Sequence, residues 1–270
     1  CGARGQIGQA VNDVVDKLEF EMLDTDVDDL DVTDTDEVLR FGEMNRPDII
    51  INCSGMTDIS SCEENPSQAF KVNALGARNL AIVAAKMQAK MVQLSTDDVF
   101  DGKSTEPYTE FDITNPGTVY GKSKLAGENY VKEFTTKHFI VRSTWVYGKG
   151  QNFINGFLKK VDAGEQLSIA SDQFGSPTSA NELARFLLHL VHTSEYGTYH
   201  ATNKGVCSRY AFAQEILKMT GKTASMQPVP TVMSDFSKVR PAYAVLDNFI
   251  MSMVPIYDFP DWQDSLREYL

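Results

Sequence analysis

Tyr120 and Lys124 stand four residues apart in Thr118-Val119-Tyr120-Gly121-Lys122-Ser123-Lys124-Leu125-Ala126-Gly127-Glu128. On a helix that spacing makes them neighbours on one face. A phenol titrates near pH ~10, too high for proton transfer at neutral pH. An ammonium beside it favours the phenolate and draws the value towards the working range. Thr96, at the end of the apolar run Met91-Val92-Gln93-Leu94-Ser95-Thr96, could add a hydroxyl to the same reacting oxygen. Together the three residues could supply a proton to a carbonyl oxygen.

The helix that must carry the pair is announced by its flanks. Pro116-Gly117 breaks the chain upstream, and Leu125, Ala126, Tyr130 and Val131 supply an apolar stripe. The pair is therefore expected at the exposed start of a helix. Thr96 is expected at the carboxyl end of a central strand, from which its hydroxyl could reach Tyr120. Asn73, among apolar neighbours in a long helix over about 66–87, is read as a buried structural hydrogen-bonder.

A second group of residues could bind phosphate. Gly2, Gly5 and Gly8 form G-x-x-G-x-x-G ahead of a helical run to about Lys17. Glycines at such spacing permit a tight turn, close approach of backbone N–H groups to a pyrophosphate, and close helix packing. The helix dipole then favours the negative charge. Such a fingerprint follows a buried strand, so a first strand of about half a dozen residues is expected ahead of Cys1. Leu18 to Leu23 reads as the second strand, running into acid-rich 24–31. Asp24 or Asp26 at its end could bond the adenosine ribose and repel a 2′-phosphate, which favours NADH over NADPH.

Strands at 48–53, 91–96 and 139–142 alternate with helical segments, predicting an α/β fold with a Rossmann-type, doubly wound parallel sheet. Beyond residue 145 the pattern loosens, with a helix over about 152–163, a strand at 167–169 and a turn over 173–178. A helix over 181–192 and a strand at 197–200 come next, then a helix capped by Ser208 and a terminal helix around 262–269. The expected division is a dinucleotide-binding domain over 1–144, with 176–198 returning to it. The remainder of 145–270 is expected to form a smaller, interleaved substrate-binding domain.

Composition excludes several classes. The formal charge is −12, without a Lys/Arg-rich block, which argues against nucleic acid and anionic membranes as partners. No apolar run of about 18 residues is present, so no membrane partner is expected. The four cysteines form no C-x-x-C, and the four histidines are scattered, so no metal site is expected. Reduced thiols fit a cytoplasmic protein.

The motifs G-A-R-G-Q-I-G, R-P-D-I-I-I-N, S-T-D-D-V-F-D-G, V-Y-G-K-S-K-L-A-G-E, R-S-T-W-V-Y-G and D-Q-F-G-S-P-T occur in this order. Together they resemble the extended short-chain dehydrogenase/reductase family over essentially the whole chain. Within it they are most similar to the branch that reduces the 4-keto group of dTDP-linked deoxysugars for dTDP-rhamnose synthesis and cell-surface polysaccharide. The resemblance implies NADH or NADPH as cofactor and a dTDP-sugar as substrate, with Tyr120 as proton donor. Lys124 would hold the nicotinamide ribose, and Thr96 would share the substrate carbonyl. Gly5, Gln6 and Ile7 would line the pyrophosphate, Asp31 and Val32 the adenine, and Gly55, Met56 and Thr57 the ribose side. Thr96, Asp97 and Trp145 would contact the sugar.

Two departures stand out. Asp98 replaces a usual Tyr, where a carboxylate facing the site would meet an anionic diphospho-sugar unfavourably, and Met56 replaces a common His. Some relatives bind Mg²⁺ at a subunit contact; no ligand cluster supports it here, and a homodimer is the expected assembly. The alternatives are another sugar-nucleotide reductase or epimerase of the superfamily, or a non-catalytic subunit like the regulatory beta subunit of methionine adenosyltransferase.

Overall fold

The computed structural model describes residues 1–233 and 241–270. Its organising layer is a parallel sheet fed by helices: α1 (Gln6–Val14), α2 (Thr35–Asn45), β1 (Ile49–Asn52), α3 (Ala77–Met87), β2 (Lys90–Thr96), α4 (Val119–Phe134), β3 (His138–Ser143), α5 (Ala180–Val191) and β4 (Gly197–His200). The four strands lie side by side in chain order, each parallel to the next. Parallel strands need helical crossovers, and those crossovers cover the sheet.

The strand period of two sends alternate residues to opposite cores. Val92, Leu94, Phe139 and Val141 pack with α1 and α5 residues such as Val11, Leu183 and Leu187. Ile50, Met91 and Ile140 pack on the other face with Leu80, Val83 and Val131 from α3 and α4. Both faces are thus buried, which is why these strands read as continuous apolar runs. The segment carrying α5 and β4, although late in sequence, belongs to this sheet.

Two stretches depart from the sequence reading. Leu18–Leu23 forms no ladder. Among the described residues its backbone bonds to no strand, and Phe20 and Met22 pack at the margin of the core that also takes Ile49 and Ile51 from the β1 edge. Cys1 instead continues that edge, its nitrogen donating to the Ile51 carbonyl (2.8 Å) and its carbonyl accepting from Cys53 N–H (3.0 Å). The supposed turn over 173–178 holds two short strands, Phe174–Gly175 and Thr178–Ser179.

A smaller unit surrounds a separate core of Tyr147, Phe157, Leu167, Ile169, Phe212, Ile216, Trp262 and Leu266. Phe174–Gly175 pairs with Tyr243–Ala244 and Cys207–Ser208 to form its three-stranded sheet. Among the described residues no helix is long and apolar enough to cross a membrane.

Helix α4 is held to β3 by a buried ion pair. Arg142 donates from Nε to Glu128 Oε1 (2.9 Å) and from Nη2 to Oε2 (2.7 Å), and the Ser95 hydroxyl adds a bond to Oε1 (2.6 Å). Neither side chain reaches water appreciably, at 4% and 0% exposure. Burial opposes the Glu128 charge, but the Arg142 hydrogen bonds and charge outweigh it and hold the carboxyl below its ordinary range. His200 lies beside the pair, its Nε2 3.5 Å from Arg142 Nη1. Its Nδ1 faces the carbonyls of Tyr108 (2.9 Å) and Asp247 (3.1 Å), which assigns the proton to Nδ1 and leaves Nε2 as acceptor. Burial, then the Arg142 charge, push His200 down to about 3, so it is neutral at physiological pH.

Glu128→Ala should therefore destabilise the fold by about 3–5 kcal/mol, because it leaves Arg142 charged and unpaired in the interior. Urea denaturation reads the loss directly. A change below about 1 kcal/mol would show that the pair does not secure α4.

Candidate active site

Helix α4 starts where its first backbone N–H groups are satisfied. The Thr118 side chain caps it by accepting from Gly121 N–H, and Glu63 accepts from Val119 N–H (2.7 Å). The first turn lies directly on the exit of β2: a methyl group at position 121 would stand 2.0 Å from the Asp98 carbonyl oxygen. Only glycine allows this approach, which brings Tyr120 to the segment carrying Thr96, Asp97 and Asp98.

Contrary to the expectation of an exposed start, both Tyr120 and Lys124 are buried, at 8% and 4% exposure. Tyr120 packs with Ile59, Cys62 and Ala69, and Met56 borders the same cluster. The reason is that the β1 exit and the helices after it cover this end of α4, which the local sequence does not show. Burial lowers Lys124 to about 8, while the Glu128 carboxylate one turn on pulls it back upward. Its Nζ lies beside Gly55, at 3.8 Å from where a Cβ on that residue would sit.

Asn73 joins these parts. It occupies a π-helical turn, Lys71–Gly76, between the α-helices Pro66–Phe70 and Ala77–Met87. Its amide accepts from Met56 N–H (2.8 Å) and donates to the Met56 carbonyl (2.9 Å) and the Ser123 hydroxyl (2.9 Å). Ser123 in turn donates to the Tyr120 carbonyl (2.8 Å). One buried side chain thus ties the β1 exit to α4 between Tyr120 and Lys124, the structural role expected of it. The π-bulge that aims it is a frequent device at functional sites.

Thr96 is the last residue of β2, and its hydroxyl donates to Asp97 Oδ1 (3.0 Å) and accepts from Asp98 N–H (3.2 Å). Asp97 and Asp98 follow in a 3₁₀ turn and are 5% and 1% exposed, so the Asp98 carboxylate is not displayed on an open surface. Thr96 pairs in register with Ser143, the last residue of β3, and Trp145 follows two residues later. Trp145 therefore rises from the same carboxyl edge of the sheet, where ligands of open parallel sheets bind. Its backbone is left-handed, with φ of 47°, a strained conformation for an aromatic residue.

The glycine-rich loop meets this edge from the other side. Gly2 has φ of +73°, and a Cβ there would lie 2.7 Å from the Ser54 nitrogen; one on Gly8 would lie 2.2 Å from the Gly2 carbonyl oxygen. The loop is folded so tightly that side chains at either position would fill it. Gly5 is the N-cap of α1, and Gln6 and Ile7 begin a helix with no acid in its first turn. An anion at that terminus would meet open N–H groups and the positive end of the dipole. The residues present therefore fit a dinucleotide, with α1 holding its phosphates and Gly55 and Lys124 available to its far ribose.

The acid-rich stretch has a double role. Asp26 accepts from Arg4 N–H (2.9 Å) and Val27 N–H (2.9 Å), pinning the glycine loop. Burial works against its charge, and those backbone bonds outweigh it, so its carboxyl lies below the ordinary range. Arg4 also donates to Asp28 (2.8 Å). Asp24 is exposed. Asp31 accepts from Thr33 N–H, and Val32 is buried against Gly76 with its carbonyl bonded by Asn79. Thr57 is exposed beside Met56 and Gly55. Among the described residues no group of three or more His, Cys, Asp or Glu is placed to hold a metal ion.

Sequence reasoning singled out neither Arg209 nor the role of the Glu128–Arg142 pair. Arg142 in an apolar strand was the one available signal, since a charge in a buried run needs a partner.

The RmlD substrate binding domain family matches residues 1–270. The chain is 34% identical to the spore coat polysaccharide biosynthesis protein SpsK of Bacillus subtilis, over 100% of this chain and 95% of that one. It superposes on a crystal structure of a dTDP-4-dehydrorhamnose reductase from Clostridium acetobutylicum with a TM-score of 0.96 at 41% identity, covering 99% and 96% of the two chains. The Bacillus anthracis dTDP-4-dehydrorhamnose reductase in complex with NADP gives a TM-score of 0.96 at 36% identity, with the same coverage.

Proposed function

The chain belongs to the RmlD substrate binding domain family, and from that membership we propose that it reduces the 4-keto group of dTDP-4-dehydro-β-L-rhamnose, giving dTDP-β-L-rhamnose. It is an NAD(P)H-dependent oxidoreductase with a Rossmann-like fold. The observation that carries the assignment of its site is the buried Tyr120–Lys124 face of α4, set against the β2 exit with the ammonium beside Gly55.

A reduced nicotinamide, once bound, would supply the hydride that C4 receives. As the carbonyl becomes an alkoxide, Tyr120 gives its phenolic proton to the oxygen, and the Thr96 hydroxyl shares the developing charge. Lys124 holds the cofactor ribose and stabilises the phenolate left behind. Its positive charge acts strongly because both side chains are out of bulk water. Trp145 walls the deoxysugar, and Asp97 bonds its hydroxyls. The acids at 24 and 26 favour an unphosphorylated adenosine ribose.

Tyr120→Phe removes the proton and little else. Turnover, read as loss of NADPH absorbance with the 4-keto sugar nucleotide, should fall by about 10²–10⁴-fold while cofactor affinity is kept. Equal rates for the two proteins would take Tyr120 out of the mechanism.

The Lys124 ammonium is present below about pH 8 and lost above it, since burial lowers its pKa from the ordinary lysine range. The profile of kcat/KM against pH should therefore be flat towards neutrality and fall above about 8. A profile still flat at pH ~9.5 would show that the Lys124 charge is not needed.

A further inference from the structure

Trp145 is held from two directions by residues of the smaller unit. A methyl group on Gly175 would stand 2.5 Å from indole Cε2, so the ring lies directly on that glycine's backbone. The Arg209 guanidinium lies over the indole with Cζ 3.4 Å from the ring centroid, and 4.8 Å from that of Phe153. Phe153 itself stacks on Phe212 (5.7 Å, 23°). Arg209 is positioned by its own backbone, whose N–H donates to the Gln173 carbonyl (3.0 Å), next to the strand carrying Gly175. Its helix, Arg209–Thr220, is capped by the Ser208 side chain.

These contacts bear on a residue that needs them. A tryptophan with φ of 47° is strained, and such a conformation persists only where the surroundings fix it. The hydrogen bond from Thr178 N–H to the Trp145 carbonyl (3.3 Å) fixes the backbone but not the ring. A planar guanidinium stacked on the indole fixes the ring plane, which a lysine ammonium cannot do equally well.

We propose that Arg209 is a positioning residue for sugar recognition: with Gly175 it clamps the Trp145 indole in the orientation that walls the deoxysugar. It acts through Trp145 and does not touch the reacting atoms. The inference rests on the reading of Trp145 as the substrate wall. It predicts a change in sugar affinity without a change in chemistry, because the Tyr120, Lys124 and Thr96 constellation is built on other elements.

The test measures KM for the 4-keto sugar nucleotide and for NADPH, with kcat, in wild type, Arg209→Gln, Arg209→Lys and Gly175→Ala. Both Arg209→Gln and Gly175→Ala should raise the sugar KM by roughly five- to thirtyfold, the range a cation–π contact supports, with the NADPH KM and kcat within about twofold. Arg209→Lys should recover only part of the loss. Since the chain has two tryptophans, a Trp262→Phe background reports Trp145 alone, and its emission should shift in both clamp variants. Unchanged sugar KM in Arg209→Gln and Gly175→Ala would overturn the proposal, whatever the emission did. A parallel fall in kcat, with NADPH KM also raised, would overturn it too, since that pattern belongs to general loss of structure. Failure of wild type to reduce the keto-sugar would instead reject the proposed reaction, so the two failures are told apart.

Discussion

A carboxylate and a guanidinium, both withdrawn from water, fix the height and rotation of helix α4 on the sheet. Tyr120, Lys124 and Glu128 recur every four residues and so share one helical face. Because Arg142 takes both Glu128 oxygens in a bidentate bond, the helix can neither slide nor turn without breaking two charge-assisted hydrogen bonds. A buried ion pair is a poor source of net stability, since desolvation offsets most of its attraction. Its value here is geometric. The same carboxylate, one turn beyond Lys124, opposes the effect of burial on the lysine and helps keep it charged. The pair therefore bears on both the placement of α4 and the charge of Lys124.

Around that pair the close contacts are made by backbone rather than by side chains. Gly121 lies on the Asp98 carbonyl and Gly127 on the Asn73 carbonyl, where a Cβ would approach to 2.4 Å. Both allow α4 to settle until its charged and phenolic groups reach the carboxyl edge of the sheet. Asn73 then closes the arrangement by bonding to Met56 and Ser123 together. Each of these contacts has a partner far along the chain.

That distance explains what the sequence could and could not reveal. The strand period, the Pro116-Gly117 break and the glycine spacing are local, and they gave β1 to β3, the helix carrying Tyr120 and Lys124, and the tight glycine turn ahead of α1. Burial of Tyr120 is not local: it comes from Ile59, Cys62 and Ala69, whose packing on α4 no window of sequence displays. Leu18–Leu23 has the alternation of a strand, yet a strand is a property of two backbones, and pairing cannot be read from one segment alone. The pairing of Phe174–Gly175 was hidden by two-residue length and turn-forming neighbours. The left-handed backbone at Trp145 contradicts its residue type, so only tertiary contacts could produce it.

The final consequence concerns how the two units share one site. Thr96 and Ser143 end adjacent strands in register, and the chain leaves that edge directly through Trp145 into the smaller unit. On the proposed mechanism, the groups that handle the proton are thus mounted on the sheet, through β2 and α4. Trp145, the proposed sugar wall, follows β3 but is braced by Gly175 and Arg209 from later in the chain. On that proposal chemistry and recognition would vary separately: substitutions around Trp145 would alter which sugar fits, while Tyr120 and Lys124 stay tied through α4 to the Glu128–Arg142 pair.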